Sequence, residues 1–278
     1  MKVKIAKEAG FCFGVKRAMK MAWDELELNS DIYALGPLIH NKQAVQRYED
    51  KGLVTVDTIN DIPNDKSVII RSHGVSSDIY DKANSNNLNI IDTTCPFVKK
   101  IHNIVKEFYE KGYKIIIIGD KKHPEIIGIN GWCENSALIV KSIDDVNSLN
   151  LYNNSKYCLV AQTTLNLELY NEIVNILSKK LDNITFKNTI CSATKTRQQA
   201  AKELSVDVDC MIVIGGKHSS NTQKLVNICK EQVPTFAIET KEDLDIDKLN
   251  KFNLIGVTAG ASTPDWIIED VTSLIESL

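Results

Sequence analysis

Three cysteines in this chain are each followed, 24 residues later, by a glycine: Cys12 by Gly36, Cys95 by Gly119 and Cys191 by Gly215. Between the members of each pair lies a stretch of helical character and then a short aliphatic run. The spacing therefore marks one helix-then-strand unit three times. A repeat of this kind constrains a fold more than local propensity does, because each copy is one supersecondary unit that must pack in the same way. Four residues past each glycine stands a polar or imidazole side chain, His40, His123 or Ser219. A second strand follows in each copy, at 53–56, 138–140 and 236–238.

Each copy later presents a strand that ends in polar residues: Arg71-Ser72-His73-Gly74, Gln162-Thr163-Thr164 and Thr258-Ala259-Gly260-Ala261-Ser262. A last strand then runs into the next cysteine, at 89–95 and 184–191. The third copy has no strand left after Ser262, and residues 2–6, which lead into Cys12, are the segment able to fill that place. Strand candidates at 32–35, 68–70, 115–118, 138–140, 159–160, 211–214 and 254–257 alternate with helical candidates at 15–27, 98–111, 195–204 and 264–277. Such alternation predicts an α/β fold with parallel sheets. The expected architecture is three similar α/β units with small parallel sheets around a pseudo-threefold axis. Their expected bounds are 13–94, 95–188 and 189–278, the last completed by the N-terminal strand within 1–12.

Each repeated cysteine lies after a strand and at the start of a helix. Ligands of parallel sheets bind beyond the carboxyl ends of the strands, and helix N-termini favour thiolate over thiol. A threefold arrangement brings Cys12, Cys95 and Cys191 to one point, and three converging thiolates call for a soft metal, zinc or an iron–sulfur cluster. Pro96 suits the first helical position after Cys95. Cysteine is also a small buried hydrophobe, and no C-x-x-C pair occurs, so the repeated context alone sets these three apart. Cys158 and Cys210 in apolar strands, Cys229, and Cys133 beside Trp132 read as core or near-core residues.

The strand ends supply imidazoles, hydroxyls and amides: His40-Asn41, His73, His123, Thr163-Thr164, Ser219-Ser220-Asn221 and Ser262. That inventory of donors suits a polyanion such as a diphosphate. His102 sits mid-helix and is expected to be solvated, and His218 lies one place off the repeated slot. Glu125 is the one carboxylate inside these motifs. Beside an anionic substrate its pKa would rise and make it a proton donor, with Thr163 or Thr164 passing the proton; its other reading is a cap on the helix after His123-Pro124.

Composition removes other classes. A net charge of −3 gives no general attraction to nucleic acid or to an anionic membrane. The longest aliphatic run, 115–118, is far too short to span a bilayer, and the N-terminus has no signal-peptide core. An odd count of 7 cysteines suits a reducing compartment, so the expectation is cytoplasmic. Neither G-x-G-x-x-G nor G-x-x-x-x-G-K-[ST] is present, so neither a nicotinamide nor an ATP site is indicated, and electrons, if used, must come from a separate protein or small reductant.

Taken together the motifs resemble one family. They are Phe11-Cys12-Phe13-Gly14-Val15, Ile39-His40-Asn41, Arg71-Ser72-His73-Gly74, Asp92-Thr93-Thr94-Cys95-Pro96 and His123-Pro124-Glu125. Gln162-Thr163-Thr164, Thr189-Ile190-Cys191-Ser192-Ala193-Thr194, Ser219-Ser220-Asn221-Thr222 and Ala259-Gly260-Ala261-Ser262 continue the series. In this order, over essentially the whole chain, they are similar to the 4-hydroxy-3-methylbut-2-enyl diphosphate reductase family.

The resemblance implies a trefoil of three α/β domains around a central [4Fe–4S] cluster held by Cys12, Cys95 and Cys191. It implies that His40, His73, His123, Thr163, Ser219, Ser220, Asn221 and Ser262 hold the substrate, with Glu125, Thr163 and His123 in the catalytic group. It also implies ferredoxin or flavodoxin as electron donor. Rival readings are another open-iron [4Fe–4S] enzyme such as quinolinate synthase, a non-catalytic iron–sulfur redox sensor, and a zinc hydrolase. The histidine and Ser-Ser-Asn set favours a diphosphate over the first two, and three thiolates are typical of structural zinc.

Overall fold

The computed structural model describes residues 1–278. The chain opens with β1 (Lys2–Ile5) and α1 (Phe13–Leu28), followed by β2 (Ile32–Leu35), α2 (Lys42–Glu49), β3 (Val54–Val56), β4 (Ser67–Ile70), α3 (Ser77–Ser85) and β5 (Asn89–Asp92). The second repeat comprises α4 (Pro96–Glu110), β6 (Lys114–Ile118), α5 (Pro124–Asn130), β7 (Leu138–Val140), α6 (Ile143–Ser148), β8 (Tyr157–Ala161), α7 (Leu167–Lys180) and β9 (Ile184–Phe186). The third comprises α8 (Ser192–Ser205), β10 (Cys210–Ile214), α9 (Ser220–Lys230), β11 (Thr235–Ile238), α10 (Ile246–Leu249), β12 (Leu254–Ala259) and α11 (Asp265–Ser277).

The strands form three four-stranded sheets, ordered β3-β2-β4-β5, β7-β6-β8-β9 and β11-β10-β12-β1. Every neighbouring pair is parallel. The order is the same in each sheet: the first strand of the repeat lies between the second and the third, and a fourth borders the third. In the last sheet that fourth strand is β1, with Lys2 opposite Leu254 and Ile5 opposite Val257. The α/β class and the three small parallel sheets are as the repeat predicts. The chain divides into two compact units, Met1–Lys16 with Ile39–Asp50 and Ser192–Leu278, and Arg17–Leu38 with Lys51–Cys191. The first contains the β1-bordered sheet and the second contains the other two.

Parallel strands covered on both faces read as unbroken apolar runs, and β6 shows why. Successive side chains of a strand point to opposite faces. Ile115 and Ile117 pack with Ile101 and Val105 of α4 and with Ile126 and Ile129 of α5. Ile116 and Ile118 pack on the other face with Tyr170, Ile173 and Leu177 of α7. All four isoleucines are at most 1% exposed, and truncating one to alanine costs about 2–5 kcal/mol in a packed core. In β10, Cys210, Ile212 and Ile214 face Ile267, Val271 and Ile275 of α11. Met211 and Val213 face Ala201 of α8 and Leu225, Val226 and Cys229 of α9.

The repeated glycine ends the first strand of each unit. Its N–H donates to the last residue of the second strand, Gly36 to Val56, Gly119 to Val140 and Gly215 to Ile238, each at 2.8 Å. At Gly119 a Cβ would lie 2.5 Å from Ile126 Cδ1 and 2.9 Å from Gln162 Oε1. There the strand end meets both the following helix and the polar turn of the third strand, and only glycine leaves room. No helix is long and apolar enough to cross a membrane.

Candidate active site

One hydrogen bond occurs three times. The N–H of Cys12 donates to Ala261 O at 3.2 Å, that of Cys95 to Ser72 O at 3.0 Å and that of Cys191 to Thr163 O at 2.9 Å. In each case the acceptor lies in the turn just past the third strand of its unit, β12, β4 or β8. Each cysteine immediately precedes a helix: Cys12 stands before Phe13 of α1, Cys95 is the N-cap of α4 with Pro96 at the first helical position, and Cys191 stands before Ser192 of α8. None of these helices carries an acidic residue in its first turn, although Asp92 stands just ahead of α4 and accepts from Thr94 N–H at 2.9 Å. The three cysteines are half-buried.

The polar turns repeat as well. Gly74 N–H donates to Arg71 O, Leu165 N–H to Gln162 O and Thr263 N–H to Gly260 O, each at 3.0 Å. The second residue of each turn offers its carbonyl to the cysteine. The third residue is therefore equivalent in the three turns: His73, Thr164 and Ser262. Spacing in the sequence does not reveal that Thr164, rather than Thr163, matches His73; the hydrogen bonds do. Ser262 Oγ donates to His40 O at 3.3 Å.

The first-strand loops lead into helices whose N-caps are the expected polar residues or their neighbours. Asn41 caps α2, His123 caps α5 and Ser219 caps α9. Asn221, in the first turn of α9, is 4% exposed. Its side-chain Oδ1 and Nδ2 are both buried without a hydrogen-bond partner. A buried amide of this kind needs a partner to recover its desolvation cost.

His123 Nδ1 accepts from Glu125 N–H at 3.1 Å. The neutral ring then carries its proton on Nε2, as a donor. The rings of His73 and His123 stand edge to face with centroids 5.6 Å apart. Because His123 provides the cap, Glu125 does not serve as one. Its carboxylate turns to the polar turn, where Oε1 accepts from Thr163 N–H and Oε2 from Thr163 Oγ1, both at 2.6 Å. Glu125 is 2% exposed. The structure thus places Glu125, Thr163, His123 and His73 together, and Thr163 is also the residue whose carbonyl receives the Cys191 N–H.

Residues 3–276 match the LytB protein family. The chain belongs to the LytB family. A curated relative from Clostridioides difficile (strain 630), named 4-hydroxy-3-methylbut-2-enyl diphosphate reductase, is 66% identical over 100% of both chains. One of the same name from Alkaliphilus oremlandii (strain OhILAs) is 51% identical, again over 100% of both. Among solved structures, the E-1-hydroxy-2-methyl-but-2-enyl-4-diphosphate reductase of Plasmodium falciparum gives a TM-score of 0.94 at 34% identity, covering 98% of this chain and 87% of that one. A second, an (E)-4-hydroxy-3-methyl-but-2-enyl diphosphate reductase described as the terminal enzyme of the non-mevalonate pathway, gives 0.74 at 39% identity over 100% of both.

In this LytB chain the other four cysteines differ from the helix-start set. Cys133, Cys158, Cys210 and Cys229 are fully buried. Burial pushes the thiols of Cys158, Cys210 and Cys229 up to about 12, and that of Cys133 upward. The expectation for His102 is corrected. It is 2% exposed and stacks on Trp132 at 5.1 Å and 21°. Burial draws its pKa down to about 4, Asp92 pulling it up and Lys99 down. The reason is helical phase: with Val98, Ile101 and Val105 it lies on the buried face of α4. Its ring sits beneath the His73 turn, since a Cβ on Gly74 would fall 2.5 Å from His102 Cε1. Trp132 Nε1 donates to Val75 O at 3.0 Å and braces the same turn. His218 is exposed, in keeping with its place off the repeated slot.

Proposed function

We propose that the chain catalyses reductive dehydroxylation of (E)-4-hydroxy-3-methylbut-2-enyl diphosphate to isopentenyl and dimethylallyl diphosphate, the last step of the non-mevalonate isoprenoid route. The observation that carries this reading is the thrice-repeated cysteine, held half-buried at a helix start by a polar turn, in a chain of the LytB family. We propose Cys12, Cys95 and Cys191 as the ligands of one [4Fe–4S] cluster. The donor set fits it: these thiols stand at helix N-termini, while the other four are buried and pushed upward. The trefoil about that cluster, and unit bounds of 13–94, 95–188 and 189–278 with the strand in 1–12, belong to the same reading.

Such a cluster, with three protein ligands, supplies single electrons and Lewis acidity. The rest falls to the side chains. His40, His73, His123, Ser219, Ser220, Asn221 and Ser262 are the proposed donors to the diphosphate, and Asn221 brings a buried amide that needs a partner. His123, with Nδ1 taken up by the helix cap, keeps Nε2 as its donor. Removing a hydroxyl by reduction consumes two electrons and two protons and releases one water. Glu125 is the proposed proton source, and its bonds to Thr163 fix where the carboxyl stands. A one-electron carrier of the ferredoxin or flavodoxin type supplies the electrons, and the proposed compartment is the cytoplasm.

The test is anaerobic reduction of the allylic diphosphate by purified protein, with a reduced viologen dye as electron source. Dye oxidation together with both five-carbon diphosphates is the expected result. Protein with a full iron and sulfide complement that oxidises no dye would overturn the substrate assignment.

A further inference from the structure

Two of the three cysteines are approached by a segment that braces itself. Ahead of Cys95, Asp92 Oδ1 accepts from Thr94 N–H at 2.9 Å, and Thr93 Oγ1 donates to Ile70 O at 2.6 Å. Ahead of Cys191, Asn188 Oδ1 accepts from Ile190 N–H at 3.1 Å, and Thr189 Oγ1 donates to Ala161 O at 2.5 Å. The device is the same: a short carbonyl-bearing side chain three residues before the cysteine closes a local turn. A threonine two residues before hooks onto the last residue of the neighbouring strand.

Cys12 is preceded by Ala9, Gly10 and Phe11, which carry neither side chain. Its approach also takes a costly path. Glu8 and Gly10 are both left-handed, with φ of 65° and 93°, and for glutamate this region is sparsely populated and persists only where the surroundings enforce it. What lies against it is Arg197 of α8, 2% exposed. Its Nε donates to Glu8 O at 2.7 Å and its Nη2 to Gly10 O at 2.8 Å.

We propose that Arg197 is the positioning residue of Cys12: its guanidinium fork replaces the Asx–threonine brace that Cys95 and Cys191 carry in their own segments. A planar guanidinium can span two carbonyls with a fixed separation, which a lysine ammonium cannot match. The carbonyls it spans belong to the two left-handed residues, so the fork holds the loop that sets where the Cys12 thiol stands. The proposal rests on Cys12 being a cluster ligand.

The test uses the full-length holoprotein in four forms: wild type, Arg197→Met, Arg197→Lys and Thr93→Val. Each is treated with an iron chelator in the presence of iodoacetamide, and alkylation of every cysteine is followed by peptide mass spectrometry. In Arg197→Met, Cys12 is expected to react about tenfold faster than in wild type, the effect of ~1.4 kcal/mol on local opening, with Cys95 and Cys191 changed less than about twofold. Arg197→Lys is expected to lie between, and Thr93→Val to move the acceleration to Cys95. Equal acceleration at all three cysteines in the Arg197 variants, or none at Cys12, would overturn the proposal. If Arg197→Met does not fold, Arg197→Lys decides by the same pattern. A wild-type protein without iron would sink the ligand reading instead, while the alkylation pattern would still decide the brace.

Discussion

Cys191 and Cys210 sit at the two ends of one helix-to-strand segment and live in opposite surroundings. Cys191 stands half-buried before α8, with its N–H on Thr163 O. Cys210 opens β10 at 0% exposure, packed with Ile212, Ile255 and Val257, and burial pushes its thiol up to about 12. One stands half-buried at a helix start, and the other behaves as a small hydrophobe. Environment, and not residue type, separates the proposed ligand from the filler.

The largest expected break in this contrast is Cys191→Ser. Turnover should fall by about three orders of magnitude or more, the scale of losing several kcal/mol of Lewis-acid stabilisation, as read by dye-linked reduction. Activity within about tenfold of wild type would place Cys191 with the fillers. Glu125→Gln sharpens the contrast from the substrate side. It should cut turnover by about 10²–10⁴ with iron content unchanged, and near-normal rates would leave the Glu125–Thr163 pair a structural one.

Next comes His102, whose neutral ring supports the His73 turn. The folded state binds its proton only near pH 4, whereas the unfolded chain binds one near 6.5. The unfolded state therefore holds more protons in that window. Stability should be whole above 6.5 and decline by roughly 3 kcal/mol as pH falls toward 4. Asp92 and Lys99 face this ring with opposite effects. Denaturant titration of His102→Phe should show a flatter profile there, and an unchanged slope would remove His102 from the account. The smallest effect belongs to Cys210→Ala, about 1 kcal/mol of stability by the same titration. Loss of iron in that variant would erase the contrast.

The three parallel sheets are legible in the sequence because the Cys–Gly spacing counts whole elements, and because β6 and β10 are apolar runs buried on both faces. The polar strand ends are legible in part for the same reason: His123 and Ser219 cap α5 and α9 from the repeated slot, whereas Asn41, one place past His40, caps α2. The burial of His102 is not, because it depends on the phase of α4 against Trp132, which no neighbour in sequence reveals. The equivalence of Thr164 with His73 and Ser262 is hidden because the chain between glycine and turn differs in length among the repeats. Sequence divides Glu125 between cap and acid; His123 Nδ1 fills the cap, which leaves the acid as the proposed reading. Arg197 gives no sign at all, since its partners are backbone carbonyls far off along the chain.

The most direct test of the central claim is iron and acid-labile sulfide per chain in the seven single Cys→Ala variants, purified without air. The account predicts loss of iron in Cys12→Ala, Cys95→Ala and Cys191→Ala, and wild-type content in the variants at Cys133, Cys158, Cys210 and Cys229. Full iron in any of the first three, or its loss in a variant of the buried four that still folds, would contradict it.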